Sequence, residues 1–358
     1  MSEPFSPKRI LVTGGAGFIG SNLVRWMLQQ VAASHVQRVV VLDALTYAGH
    51  RANLEGADDD ARFVFVEGDI CDGPLLRRLF EQHDFDAVLH LAAESHVDRS
   101  IEDAAAFVRT NVMGTFTLLD AALRAWTSQA PRRFVHVSTD EVYGALGETG
   151  EFTEETPYAP NSPYSASKAG ADMLARSYFQ TYGLPILITN CSNNYGPRQL
   201  PEKLVPLMIR NALAHQPLPV YGQGRQVRDW LHVEDHCRGL WAALTRGRPG
   251  EKYNFGGGTE APNLEVVRRI ADAVDRRLAQ APGTSRELIQ FVTDRPGHDF
   301  RYAIDPTKVE RDLGWHPQVG FDEGLDRTVA WYVDNPDWIR KVESEESKRF
   351  HQSRYGRP

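Results

Sequence analysis

Residues 12–20 read VTGGAGFIG. The glycines Gly14, Gly17 and Gly20 come directly after an apolar run and open an amphipathic stretch in which Ile19, Leu23 and Met27 share one face. A strand, a glycine turn and a helix in that order constrain the fold more than any other feature of the chain. A backbone free of side chains can turn tightly there, so that an anionic group rests on the unpaired N–H groups of the helix N-terminus. The same alternation then recurs. RILVTG, RVVVLD, RFVFVEGD, AVLHLAAE and RFVHVSTD are short runs, apolar on both faces, as parallel strands covered by helices on each side must be. A long helix is predicted over about 104–125. Together these patterns predict an α/β fold, a doubly wound parallel sheet of the Rossmann type.

Beyond about residue 195 the pattern loosens, and Pro-, Gly- and Arg-rich segments such as NNYGPRQLPEKLVP, VYGQGRQVRDW and VTDRPGHDFRYAID interrupt the short helices. These predict loops of a smaller α/β substrate-binding lobe facing the strand ends. The division expected is a Rossmann domain over 1–195 that also draws in part of 229–250, and a lobe built mainly from 196–358. With 358 residues, 42% of them hydrophobic, the chain can bury a sizeable core. A formal net charge of -7 provides no basic field for nucleic acid or an anionic membrane. The opening MSEPFSPKRI does not resemble a signal peptide, and no later run approaches the roughly 18 apolar residues of a membrane span. A cytoplasmic protein is expected. Cys71, Cys191 and Cys237 are too few and too scattered for a disulfide framework or a metal site.

Residues farther along the chain give the glycine turn its meaning. The second strand ends in Asp43, about two dozen residues past the turn, where a carboxylate accepts from ribose hydroxyls and repels a 2′-phosphate. The expected cofactor is therefore NAD rather than NADP. GDI at 68–70 places Asp69 near the adenine. In the middle of the chain, YSASK at 164–168 sets Tyr164 and Lys168 four residues apart, on one face of a helix. Tyrosine titrates near 10, so only about a thousandth is phenolate at neutral pH. An ammonium about 5 Å away, at an effective dielectric near 20, contributes roughly 3 kcal/mol toward ionising it, and a positive nicotinamide ring adds to that. The fifth strand runs into HVSTDEVYG, where Asp140 and Glu141 stand together at the strand mouth behind Ser138 and Thr139. Neighbours within a regular strand point to opposite faces, so both acids can serve one ligand only if the strand has ended by residue 140.

TGGAGFIG, LAAESHVDRS, STDEVYG, YSASK and SNNYGP together resemble the extended short-chain dehydrogenase/reductase family, and within it the dTDP-glucose 4,6-dehydratases of deoxysugar biosynthesis. The resemblance runs from about Ile10 to WYVDN at 331–335. It implies a tightly held NAD used and regenerated in each turnover, dTDP-glucose as substrate, and a homodimer joined through a four-helix bundle. It also implies roles: Thr139 orients the sugar C4 hydroxyl, Tyr164 takes its proton, Glu141 is the C5 base, Asp140 is the acid for the leaving C6 hydroxyl, and Lys168 supports Tyr164. The NAD-lining positions it implies are Gly14, Gly17, Phe18, Ile19, Gly20, Asp43, Thr46, Asp69, Ile70, Leu91, Ala92, Ala93, Ser95, Thr110, Tyr164, Lys168 and Asn194. Around the nucleotide sugar it implies Ser95, Thr139, Asn193, Lys203, Leu204, Pro219, Tyr221, Arg228, Asn263, Arg295 and His298. Guanidinium forks such as those of Arg228 and Arg295 suit a diphosphate.

One stretch departs from the family pattern. Arg198, Gln199 and Leu200 come after NNYGP where relatives usually carry aromatic residues around a variable one, and this bears on the nucleotide base. Of the related activities, UDP-glucuronate decarboxylases share the Thr, Glu, Tyr and Lys set but typically have Ser in place of Asp140. Nucleotide-sugar 4-epimerases usually lack both acids, and GDP-mannose dehydratases work without the Asp. A non-catalytic NAD-binding scaffold on this fold would have no use for four placed proton-transfer groups.

Overall fold

The computed structural model describes residues 4–127, 130–294 and 297–342. Its strands, in chain order, are β1 (Arg9–Thr13), β2 (Arg38–Asp43), β3 (Phe63–Glu67), β4 (Ala87–His90), β5 (Arg133–Val137), β6 (Ile186–Cys191), β7 (Asn193–Tyr195), β8 (Leu218–Tyr221), β9 (Val227–His232), β10 (Lys252–Phe255), β11 (Glu260–Pro262) and β12 (Ile289–Val292). Seven of them form one parallel sheet in the order β3-β2-β1-β4-β5-β6-β10. The five strands expected from the first half of the sequence all lie in it. Their apolar character has a direct cause, since every residue of β4 and all but the first of β1, β2 and β5 are buried. One apolar cluster, including Ile10, Val12, Leu23, Met27 and Leu89, fills one face of the sheet. Another, including Leu11, Val40, Leu76, Val88 and Leu118, fills the other.

The chain after residue 195 is split between the two units. Helix Val233–Arg246 packs on helix Phe18–Gln30, with Trp241 and Trp26 rings 6.1 Å apart, and β10 then adds the seventh strand beside β6. The sheet thus takes in residues up to Phe255, a few beyond the stretch expected from the sequence. The remainder, together with β7, builds two small sheets, β11-β9-β7 and β12-β8. These share a core of their own with helices Leu204–Leu213, Asn263–Arg277 and Phe321–Asp334, around Tyr195, Trp230, Ile270 and Tyr332. Among the described residues no helix is long and apolar enough to cross a membrane.

Two helices carry the sequence motifs to the sheet's end. The predicted 104–125 helix is helical throughout, but its central turn, Val108–Gly114, is widened to π geometry between Ala104–Phe107 and Thr115–Ala125. Such widened turns redirect side chains at functional sites. Here the π turn presents Asn111, whose amide donates to the Glu94 carbonyl (3.0 Å) and to Ser167 Oγ (2.8 Å) and accepts from the Glu94 N–H (2.9 Å). The LAAES loop is thereby tied to the second helix, Pro163–Tyr182. That helix starts sharply because Ser162 and Ser165 form a reciprocal capping box and Pro163 occupies the first turn. Gly183, at φ 70°, closes it. Its start fixes where Tyr164 and Lys168 stand.

Candidate active site

The strand order reverses between β1 and β4, and open α/β sheets bind ligands outside the strand ends at such a point. A cavity of about 330 Å³ lies there. Its walls contain Gly14, Gly17, Phe18, Ile19, Gly20, Asp43, Thr46, Asp69, Ile70, Leu91, Ala92, Ala93, Ser95, Thr110 and Asn194, and also Thr139, Asp140, Glu141, Tyr164, Lys168, Asn193 and Lys203. The two sets of motifs therefore open into one space. The glycine turn is shaped for close approach. Gly14 sits at φ 70°, where a Cβ would lie 2.6 Å from the Ala92 nitrogen, and a Cβ on Gly20 would lie 2.2 Å from the Gly14 oxygen. No side chain caps the helix at Gly17, so its N-terminal N–H groups are left for an anion. Asp43 is fixed by two backbone donors, Ala16 N to Oδ2 and Leu45 N to Oδ1, both 2.9 Å. An N-terminal helix anion site, a fixed carboxylate at the end of β2 and a cavity leading to Tyr164 fit a dinucleotide along their length.

The acids owe their placement to the end of β5. The strand stops at Val137, Thr139 caps a single 3₁₀ turn over Asp140–Tyr143, and its Oγ1 accepts from the Glu141 N–H at 3.3 Å. Because extended backbone has ended before residue 140, both carboxylates reach the cavity. Asp140 is buried. Its Oδ1 accepts from Thr139 Oγ1 at 3.2 Å, while its Oδ2 has no hydrogen-bond partner. Burial, reinforced by the neighbouring Glu141 and Asp229, pushes its carboxyl well above the usual range, against a smaller opposing pull from Arg228. Asp229 is itself pushed up to about 6, by burial, despite N–H bonds from Gly257 and Thr259. Asp140 is thus a buried carboxyl that holds its proton more firmly than a free one, with one oxygen uncommitted.

Tyr164 and Lys168 modify the expectation drawn from their spacing. The Lys168 ammonium donates to the Val137 carbonyl at 2.8 Å. Burial holds the Tyr164 phenol well above its ordinary value, Glu141 adds to that, and a hydrogen bond with Thr139 works against it. The lowering anticipated from Lys168 is thus outweighed within the protein itself, since desolvation disfavours phenolate more than the local groups favour it. Lys168, also buried, is lowered by desolvation, with Asp172 as the chief opposing charge.

The nucleotide-side expectations divide. Lys203 reaches the cavity and donates to the Ser95 carbonyl at 2.8 Å. Leu204, Pro219, Tyr221, Arg228, Asn263 and His298 do not line it; they belong to the second lobe. Leu204 and Asn263 begin helices, and Pro219 and Tyr221 lie on β8. The Tyr221 ring sits 6.0 Å from that of His298. Arg228, on β9, is buried, donates to the Val227 and Asp299 carbonyls, and lies 4.3 Å above the Tyr302 ring. Arg295 lies outside the described residues. Arg198 turns away from the cavity: it adopts φ 68° and stacks over Trp331 at 5.2 Å, while Gln199 and Leu200 form the wall. Among the described residues no group of His, Cys, Asp or Glu is placed to hold a metal. Gln199 and Leu200, singled out with Arg198 in the sequence, do line the cavity, while residues that sequence reasoning passed over include Glu202 on its wall, Asn111, and the buried set His136, Tyr158 and Asp172 beneath Lys168. Only Asp172 left a signal, as the third member of a Tyr164, Lys168, Asp172 series at intervals of four.

A dinucleotide turn, a Thr/Tyr/Lys set at the strand ends and a second lobe after the sixth sheet strand define an extended short-chain dehydrogenase/reductase. A family model for GDP-mannose 4,6 dehydratase matches residues 11–328. The chain is 56% identical over 338 residues to dTDP-glucose 4,6-dehydratase of Xanthomonas campestris pv. campestris, covering 93% of this chain and 95% of the relative. It is 52% identical over 350 residues to dTDP-glucose 4,6-dehydratase 1 of Escherichia coli K12, covering 94% and 96%. Among solved structures, DesIV of Streptomyces venezuelae, a dTDP-glucose 4,6-dehydratase determined with NAD bound, superposes with a TM-score of 0.86 at 51% identity, over 94% of this chain and 100% of that one. The chain belongs to the dTDP-glucose 4,6-dehydratases.

A buried carboxyl with a raised pKa leaves a mark on stability. The folded state holds the Asp140 proton more tightly than the unfolded chain. Asp140 therefore costs stability as pH rises from its unfolded value toward its folded one, and the penalty vanishes below the unfolded value. Asp140→Asn should raise Tm at pH 7 by a few degrees, about the effect of 1 kcal/mol, with the gain disappearing at acid pH. Thermal unfolding across pH checks this; a variant less stable than the parent at pH 7 contradicts it.

Proposed function

We propose that the chain converts dTDP-glucose to dTDP-4-keto-6-deoxyglucose, with Thr139, Asp140, Glu141, Tyr164 and Lys168 dividing the proton transfers. The observation that carries this reading is Asp140: a buried carboxyl, pushed well above the usual range, with an oxygen that nothing in the protein uses. A dehydrogenase or epimerase has no use for an acid there, whereas an acid there assists expulsion of a hydroxyl. When bound, NAD supplies the redox chemistry, taking a hydride from sugar C4 and returning it to C6. Thr139, already hydrogen-bonded to Tyr164, orients the C4 hydroxyl, and Tyr164 takes its proton. Oxidation at C4 makes the C5 proton acidic, and Glu141 removes it and gives a proton back to C5 when the hydride returns to C6. Asp140 protonates the C6 hydroxyl, which leaves as water. Each such group is worth about 10²- to 10⁴-fold. Gly14, Gly17, Phe18, Ile19, Gly20, Asp43 and Asp69 would hold the dinucleotide. Lys203 and Asn193, on the shared cavity, and Arg228 on the second lobe would hold the nucleotide diphosphate of the substrate.

We divide the chain into a Rossmann unit of 1–192 with 233–255 returned to it, and a nucleotide-sugar lobe from the rest. Cys71, Cys191 and Cys237 are unpaired, which suits a reducing, cytoplasmic setting. A homodimer is supported by where large apolar side chains are exposed. Ile101, Val108, Met113 and Phe116 lie on the helical stretch from Val97 to Ala125, and Met173 and Tyr182 lie on Pro163–Tyr182. These two adjacent helices present one apolar surface, and pairing it with a second copy makes a four-helix bundle. Sedimentation should give a dimer, and Met113→Lys with Phe116→Lys should give monomer; a monomeric parent overturns the assembly.

The chemical division is tested with a substrate bearing fluoride in place of the C6 hydroxyl, a leaving group with less need of protonation. Asp140→Asn and Glu141→Gln should each lower turnover of dTDP-glucose by about 10²-fold or more. The fluoro substrate should restore Asp140→Asn substantially and Glu141→Gln hardly at all. Equal rescue of both, or of neither, contradicts the assignment.

A further inference from the structure

Asp172 is completely buried, lies one helical turn beyond Lys168, and has no part in the proton transfers or in binding the dinucleotide. Its carboxylate collects three side-chain donors. Oδ1 meets His136 Nε2 at 3.0 Å, and Oδ2 accepts from Ser138 Oγ at 2.8 Å and from Tyr158 OH at 2.9 Å. His136 and Ser138 alternate on β5 and its end, so both point to the same side. The residue between them, Val137, carries the carbonyl to which Lys168 donates. One carboxylate thus grips the strand on either side of the Lys168 acceptor, immediately before the turn that carries Thr139, Asp140 and Glu141.

We propose that Asp172 is a positioning residue of the reaction: it locks the end of β5 to helix Pro163–Tyr182 and places a carboxylate one helical turn from Lys168. This rests on the reading that Lys168 serves Tyr164 as a cation. The surroundings of Lys168 make the charge necessary. His90 on β4 and His136 on β5 face it, Cys191 approaches from β6, and Tyr164 stands one turn earlier on its own helix. Asp172 is the one carboxylate among these. It in turn is faced by Lys252 from β10 and by the Tyr143 and Tyr158 hydroxyls, so its charge is shared but not cancelled by a direct ion pair. Burial alone drives Lys168 toward the neutral amine, and Asp172 opposes this. Removing the charge should let Lys168 lose its proton at lower pH, so the alkaline limb of kcat should move down.

The test uses the full-length enzyme with dTDP-glucose and NAD. Asp172→Asn should lower kcat about 10- to 100-fold, as small misplacements of reacting groups do, with KM within about twofold. Its alkaline limb should fall by about one pH unit or more. Asp172→Glu, which retains the charge, should keep the limb at the parent's pH. A structural control is Asp275→Asn, which removes a buried carboxylate holding Gly283 N and Ser285 N in the other lobe. It should lower Tm and leave the limb where it was. The side-chain ¹⁵N resonance of Lys168 reports the same titration without activity and should move down in Asp172→Asn only. An unmoved limb and resonance in Asp172→Asn overturn the proposal. If that variant does not fold, Asp172→Glu decides: a limb at the parent's pH supports the proposal, and a lowered limb overturns it. Loss of dehydration by the parent enzyme would overturn the reading of the site instead, since the Lys168 titration stands apart from turnover.

Discussion

At the mouth of β5 the backbone leaves the sheet after Val137 and closes one 3₁₀ turn, with the Thr139 hydroxyl accepting from the Glu141 N–H. Had the strand continued by a few residues, Asp140 and Glu141 would project to opposite faces of the sheet, one of them into an apolar layer. The early stop puts both acids on the wall that carries Tyr164 and Lys168. It also sets the Val137 carbonyl at the last residue of the strand, where the Lys168 ammonium donates to it. Side-chain hydrogen bonds tie the two helices near this turn together and to the strand: Asn111 from the π turn to Ser167 of the second helix, and Asp172 of that helix to His136 and Ser138.

Burial supplies most of the electrostatics. In water Asp140, Tyr164 and Lys168 would be an anion, a neutral phenol and a cation. Here desolvation is the largest influence on each, moving the carboxyl and the phenol up and the ammonium down. In the proposed reaction desolvation favours the acid, because a carboxyl that holds its proton more firmly can give it to a leaving hydroxyl. It works against the phenol as a base, so the base role depends on positive charge gathered around it. The same cavity that makes one group effective thus sets the demand on the other.

Much of this was legible in the residues. The sheet was readable because parallel strands buried on both faces must be apolar throughout, and the glycine turn because the close approach of backbone to backbone admits no side chain. The acid pair was readable as chemistry, and its shared orientation came once the strand was required to end. Other features were hidden because they depend on partners distant in sequence. Nothing local marks Lys252–Phe255 as returning to the main sheet, nor Val108–Gly114 as a π turn. Arg198 was expected beside the nucleotide, yet an αL backbone carries it onto Trp331, more than a hundred residues away in the chain. The spacing of Asp172 was visible, but its grip on β5 was not, since His136 and Ser138 read as an ordinary strand.

The central claim is that burial raises the Asp140 carboxyl far enough for it to serve as an acid in the folded protein. Infrared spectroscopy measures this directly, because a protonated carboxyl absorbs apart from carboxylates. In the folded enzyme at neutral pH, a buried protonated-carboxyl band should be present and should vanish in Asp140→Asn. Its absence from the parent, or its persistence in the variant, would contradict the account.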